Sequence, residues 1–120
     1  MKKLITLLLL SFFTAVCANS GADDFEKIFS PDNVIIDVRT PQEFNRGHLK
    51  NAKNIPHNNI KEGIARVVPD KDQTIVVYCR SGRRSGIAEK ALKELGYKNV
   101  INAGKYDDLK VMEEKANPGK

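Results

Sequence analysis

The stretch Thr74-Ile75-Val76-Val77-Tyr78-Cys79-Arg80-Ser81-Gly82-Arg83-Arg84-Ser85 decides the fold of this chain. Its first half is short, continuous and β-branched, the pattern of a strand buried on both faces. Its second half is small, polar and basic, with one glycine, so the strand must end in a loop there. Beyond the loop, Ile87, Ala88, Ala91, Leu92 and Leu95 fall on one face of a helix that Gly96 closes. Strand, loop and helix in immediate succession form half of a βαβ unit, and Cys79 stands at the strand's carboxyl end.

The same alternation continues on both sides. Upstream, Val34-Ile35-Ile36-Asp37-Val38 predicts a second buried strand. Thr40-Pro41-Gln42-Glu43 then predicts a helix start, with threonine as N-cap, proline at the first helical position and glutamate where a capping box needs it. Phe25, Ile28 and Phe29 mark a short opening helix. Asn54-Ile55-Pro56 is a short extended piece, and Ile60, Ile64, Val67 and Val68 follow helical spacing until Pro69. Downstream, Asn99-Val100-Ile101 gives a third strand, and the polar tail from Tyr106 to Lys120 is expected to be loosely held. The fold class expected is therefore α/β, a small domain with a mainly parallel central sheet flanked by helices. In such sheets ligands bind beyond the carboxyl ends of the strands, where Cys79 lies.

The chain has 120 residues, 41% hydrophobic, 29% charged and 7% aromatic, which fits one domain and excludes a disordered tail. Its first residues, Met1-Lys2-Lys3, precede an uncharged run from Leu4 to Val16. A basic start followed by an apolar run of that length is a secretory signal peptide, too short for a membrane span. Small residues at Val16-Cys17-Ala18 place cleavage after Ala18, with Ala22 the second choice, so residues 1–18 are the leader and residues 23–120 lie within a single mature domain. Export to the periplasm is expected, with no stable membrane insertion after cleavage. Lipid attachment at Cys17 is a lesser reading, because Thr14-Ala15-Val16 is a poor lipoprotein site.

Cleavage changes two accounts. Loss of Lys2 and Lys3 lowers the net charge from +5 to +3. Without tryptophan, a charge of +3 spread along the chain gives no case for nucleic-acid binding. Loss of Cys17 leaves Cys79 as the one mature cysteine, so it cannot form an internal disulfide. His48 and His57, separated from each other and from Cys79, make no metal-ligand pattern. No metal and no cofactor are expected, and the domain is expected to be a monomer.

The surroundings of Cys79 bear on its chemistry. Backbone amides of a short loop can turn inward as an anion-binding nest, and the next helix aims its positive end at that loop. Arg80, Arg83 and Arg84 place three positive charges within five residues of the thiol. Helix N-termini and nearby arginines lower a thiol pKa from about 8.5 toward about 3.5–7.5. A lone cysteine after a strand is more often a small buried hydrophobe, and arginine clusters are more often solvated surface. The combination in one exported chain favours a reactive, anion-facing cysteine, and the residues alone reach no further.

The loop Cys79–Ser85 resembles the active-site loop of the rhodanese family of sulfurtransferases. Ile36–Phe44, Gly47-His48-Leu49 and Ala52-Lys53-Asn54-Ile55-Pro56 are similar to the family's other signature, in the expected order, so the resemblance spans about residues 33–105. It implies that Cys79 takes the outer sulfur of an anionic donor, thiosulfate or mercaptopyruvate, as a persulfide and passes it to cyanide or a thiol. It also implies that the amides from Arg80 through Ser81, Gly82, Arg83 and Arg84 to Ser85 hold the anionic sulfur, and that Arg83 and Arg84 attract thiosulfate. Asp37 and Arg39 would brace the loop, and His48 would be structural. Many family members carry Gly-Gly and a later tryptophan where this chain reads Asn102-Ala103-Gly104-Lys105, with Leu109 near the tryptophan position.

Three other readings compete. A cysteine phosphatase or arsenate reductase needs Cys-x5-Arg, and the sixth residue after Cys79 is Ser85, with Arg84 one place early. A non-catalytic module, binding a partner or carrying sulfur through the same fold, is the second; inactive rhodanese-like domains typically lose the cysteine, and this chain keeps it. A redox sensor lacks a second mature cysteine to resolve a disulfide.

Overall fold

The computed structural model describes residues 20–116. The leader reading at residues 1–18, including Cys17, lies outside the described residues. Ten segments follow one another: α1 (Ser20–Phe29), β1 (Val34–Asp37), α2 (Pro41–Arg46), β2 (Lys53–Asn54), a 3-10 turn (His57–Asn59), α3 (Ile60–Val67), β3 (Ile75–Cys79), α4 (Arg83–Glu94), β4 (Val100–Lys105) and α5 (Tyr106–Ala116). The strands form one parallel sheet in the order β2-β1-β3-β4, so β3, which ends in Cys79, is central. Among the described residues no helix is long and apolar enough to cross a membrane.

All five residues of β3 are buried, which is what the unbroken apolar run dictates for a central parallel strand. Period-two alternation sends them to opposite faces. Ile75, Val77 and Cys79 join Ile36, Val38, Ile60, Ile64, Ala88 and Leu92 under α3 and α4. Val76 and Tyr78 join Ile28, Ile35, Leu49 and Leu109 on the other face. The capping box at α2 forms as the sequence dictates: Thr40 Oγ1 accepts from the Glu43 amide, and Glu43 Oε1 accepts from the Thr40 amide.

Two expectations are corrected. The tail is not loose over residues 106–116, which form α5, and Leu109 is fully buried, with Tyr106 and Met112 packed beside it; residues 117–120 lie outside the described residues. The third strand also runs further than Ile101, to Lys105. Its register against β3 passes from Val77↔Asn102 to Tyr78↔Gly104, so Ala103 is an extra residue and the strand bulges without breaking.

Candidate active site

Cys79 is the last residue of β3 and is completely buried on the α4 face. The chain then turns at Gly82, whose φ of 96° and ψ of −15° lie in the left-handed region that glycine enters without cost. That turn points amides back at the sulfur. The Gly82 N–H donates to Cys79 Sγ at 2.9 Å and the Ser85 N–H at 3.3 Å, while Ser85 Oγ lies 3.5 Å from Sγ. Burial is the largest influence on the thiol and raises its pKa. The Ser85 hydroxyl and the amides of Ser85, Gly82 and Ser81 together outweigh it, so the thiol sits below its ordinary value. The hydrogen-bonding partners of the sulfur are dipoles, and the Arg84 charge acts on it only through space.

The three arginines of the loop separate in space. Arg80 and Arg83 are exposed, and neither has an ion-pair partner among the described residues. Arg84 is engaged: its Nη1 and Nη2 donate to Glu43 Oε1 at 2.8 Å and Oε2 at 3.1 Å. That fork holds the Glu43 carboxyl at about 2, assisted by the Thr40 cap. Much of the Arg84 charge is thus offset by α2, and the loop's uncompensated charge comes from Arg80 and Arg83. The positions flanking the thiol act as a frame: Arg84 ties the start of α4 to α2.

A second charged group lies at the end of β1, next to the Cys79 strand. Asp37 is fully buried and Arg39 nearly so. The Arg39 guanidinium donates to both Asp37 carboxylate oxygens, the shortest contact being 2.6 Å from Nη2 to Oδ2, and Nη2 also donates to the Gly47 carbonyl at 2.7 Å. Its plane lies over the rings of Tyr106 and Tyr78, 4.3 and 5.7 Å from their centroids. Tyr78 Oη accepts from the Leu49 amide. Asp37 and Arg39 therefore brace the Gly47-His48-Leu49 turn and make no contact with the sulfur. His48 stacks on Phe44 at 3.6 Å and bonds its carbonyl through Nδ1, a structural arrangement.

Two residues of the site were not singled out as such in the sequence. Glu43 reads only as a helix cap until the fold brings it to Arg84, 41 residues away. Asn102 accepts from Ser85 Oγ at 2.8 Å and so touches the thiol's own partner. Its one local signal is the Asn-x-Gly spacing, which permits a side chain-to-backbone turn.

A parallel sheet whose central strand ends in a cysteine loop, with amides turned in on the sulfur, defines a rhodanese-type domain. The Rhodanese-like domain family matches residues 21–104, and the chain belongs to that family, an enzyme family of sulfurtransferases. It is 49% identical over 74 residues to the thiosulfate sulfurtransferase PspE of Escherichia coli strain K12, covering 62% of this chain and 71% of that one. A solved rhodanese with anions from E. coli superposes with a TM-score of 0.62 at 47% identity, covering 63% of this chain and 89% of that one. The similarity also reaches proteins not named for sulfur transfer. A tRNA uridine(34) hydroxylase of Hamiltonella defensa is 35% identical over 81 residues, 64% of this chain but only 23% of that protein.

Proposed function

We propose that this chain transfers the sulfane sulfur of thiosulfate, through a persulfide on Cys79, to cyanide or a thiol. The observation that carries the reading is the amide cradle around a single buried sulfur, with donors from Gly82 and Ser85. The Cys79 thiolate attacks the outer sulfur of thiosulfate, the donor's S–S bond breaks, and sulfite leaves with the electron pair. The terminal sulfur of the new persulfide carries the negative charge that the thiolate brought. The cradle serves both states, since inward-facing amides stabilise an anionic sulfur at either position. Cyanide then attacks the terminal sulfur, thiocyanate leaves, and the thiolate returns. No general base is needed once the thiol is ionised.

Arg80 and Arg83 supply the uncompensated charge that draws the dianion in. A groove of about 290 Å³ beside the loop, lined by Arg80, Arg46, Lys110 and Tyr106 among others, gives the acceptor an approach from the α5 side. The domain works as a monomer in this reading, without metal or cofactor. It acts in the periplasm after removal of the leader, and the mass of the N-terminal peptide of the exported product tests that placement.

Thiocyanate production from thiosulfate and cyanide, with intact-mass analysis after thiosulfate alone, tests the chemistry. Turnover and an addition of about 32 Da, one sulfur atom, are expected, and Cys79→Ser should lose both while keeping the fold. Thiocyanate production by Cys79→Ser, or no adduct on the native chain, overturns the proposal. An adduct without thiocyanate replaces the small acceptor with a protein.

A further inference from the structure

The side chain of Asn102 sits behind the active-site serine in an arrangement that its place in the strand does not require. Asn102 Oδ1 accepts from the Gly104 amide at 3.1 Å, the link that shapes the β4 bulge. A backbone N–H can only donate, so this bond fixes which end of the Asn102 amide is oxygen. The same oxygen lies 2.8 Å from Ser85 Oγ. Between two oxygens that contact needs a hydrogen, and only the serine hydroxyl can supply it. Ser85 is fully buried and has one hydroxyl proton with three claimants: Asn102 Oδ1 at 2.8 Å, the Gly82 carbonyl at 3.1 Å and Cys79 Sγ at 3.5 Å.

The allocation of that proton depends on the state of the sulfur. A neutral Cys79 S–H donates to the Ser85 oxygen, leaving the serine proton on Asn102. An ionised Cys79 has no proton to give, and it can accept from the serine hydroxyl only if that hydroxyl turns away from Asn102. The thiolate therefore gains this bond only at the expense of the short contact with Asn102. We infer that Asn102 is a positioning residue that competes with Cys79 for the Ser85 hydroxyl proton and so keeps the thiolate less favoured than its amides and that hydroxyl together would make it. Within the reading of Cys79 as the sulfur-carrying nucleophile, which this inference takes as given, Asn102 sets how readily the sulfur ionises before attack. It also sets how tightly the ionised sulfur is held afterwards, which bears on its departure from the acceptor step.

The test is the pH dependence of Cys79 alkylation by iodoacetamide in the full chain, read from the Cys79-containing peptide by mass spectrometry. Asn102→Ala removes the competing acceptor and should lower the apparent thiol pKa by about 0.5 unit, the equivalent of part of one net hydrogen bond. Asn102→Asp still accepts from Gly104 and Ser85, now with a negative charge, and should raise it. In a Ser85→Ala background Asn102→Ala should shift nothing, because the shared proton is gone. Opposite shifts in the two single variants, with the alanine effect absent without Ser85, support the inference. Shifts of the same sign, no shift, or an alanine effect that persists without Ser85 overturn it, since a merely structural bulge residue would behave in one of those ways. The titration requires no sulfur transfer. Absence of a persulfide after thiosulfate would count against the proposed function alone.

Discussion

Two adjacent strands of this sheet end in a buried ionisable group, and they handle it in opposite ways. At the end of β1, Asp37 is matched by a full positive charge, with Arg39 forked onto its carboxylate and itself lying against the Tyr106 ring. At the end of β3, Cys79 is bonded by dipoles, loop amides and a hydroxyl, with the Arg84 charge acting on it only through space. A charge held by a matched counter-charge is spent, because both partners lose most of their field to each other. A charge held by dipoles remains directed outward and can attack. The same edge of the sheet thus carries one group built to hold the fold and one built to react.

The comparison breaks most visibly at β1. Removing one partner of a buried pair strands the other in low dielectric, at a cost of about 3–5 kcal/mol. Arg39→Met should therefore lower the urea unfolding midpoint sharply while leaving thiol titration little changed in whatever fraction stays folded. Adding Asp37→Asn should restore much of the loss, since the stranded charge disappears. Equal stability of Arg39→Met and native protein would show that the pair is not the brace described here.

At β3 the equivalent lesion is smaller and of another kind. Gly82→Ala meets no steric obstacle, the nearest heavy atom to an added Cβ being Gly104 Cα at 4.0 Å. Its cost is backbone strain at φ +96°, about 1–2 kcal/mol. Relief of that strain moves the amide that sits 2.9 Å from the sulfur, so the thiol pKa should rise as stability falls. Gly82→Asn, which tolerates the left-handed region better, should do less of both. A full-strength thiolate in Gly82→Ala would remove the Gly82 amide from the cradle.

The contrast between these groups was only half visible in the sequence. The run Ile75–Cys79 gave a buried strand and the loop residues a turn, because both depend on local composition. The Thr40–Glu43 cap was equally legible, being a local pattern of side chain and backbone. Partnerships across the fold were not. Arg84 read as an arginine facing anions, yet it pairs with Glu43 on α2, a meeting that requires the β1–β3 neighbourhood first. The tail read as loose because Asp107, Asp108, Lys110, Glu113, Glu114 and Lys115 dominate it, and only Leu109 is fully buried in the helix they form. Asn102-Ala103-Gly104 carries turn formers that read as the end of a strand, whereas side-chain bonding to the Gly104 amide makes them a bulge inside one.

The smallest expected effect sharpens the comparison where a charge pair and the cradle meet. Glu43→Gln keeps the capping geometry, since glutamine can also accept from the Thr40 amide, and removes only the charge facing Arg84. The pair is about one-fifth exposed on each side, so its contribution is expected near about 1 kcal/mol. Glu43 titrates at about 2 in the folded chain against an ordinary 4.5, held down first by the hydrogen bonds from Arg84. A carboxyl with a depressed folded pKa contributes stability above its unfolded pKa and loses it as pH falls toward the folded one. The stability difference between native protein and Glu43→Gln should therefore be constant above about pH 5.5 and shrink as the pH falls from about 4.5 toward 2. The same substitution frees Arg84, so at neutral pH the KM for thiosulfate should fall modestly with kcat little changed. A stability difference that persists at pH 2, or a KM that rises, would show that Arg84 does not spend its charge on Glu43, and the division between spent and available charge at this edge of the sheet would fail.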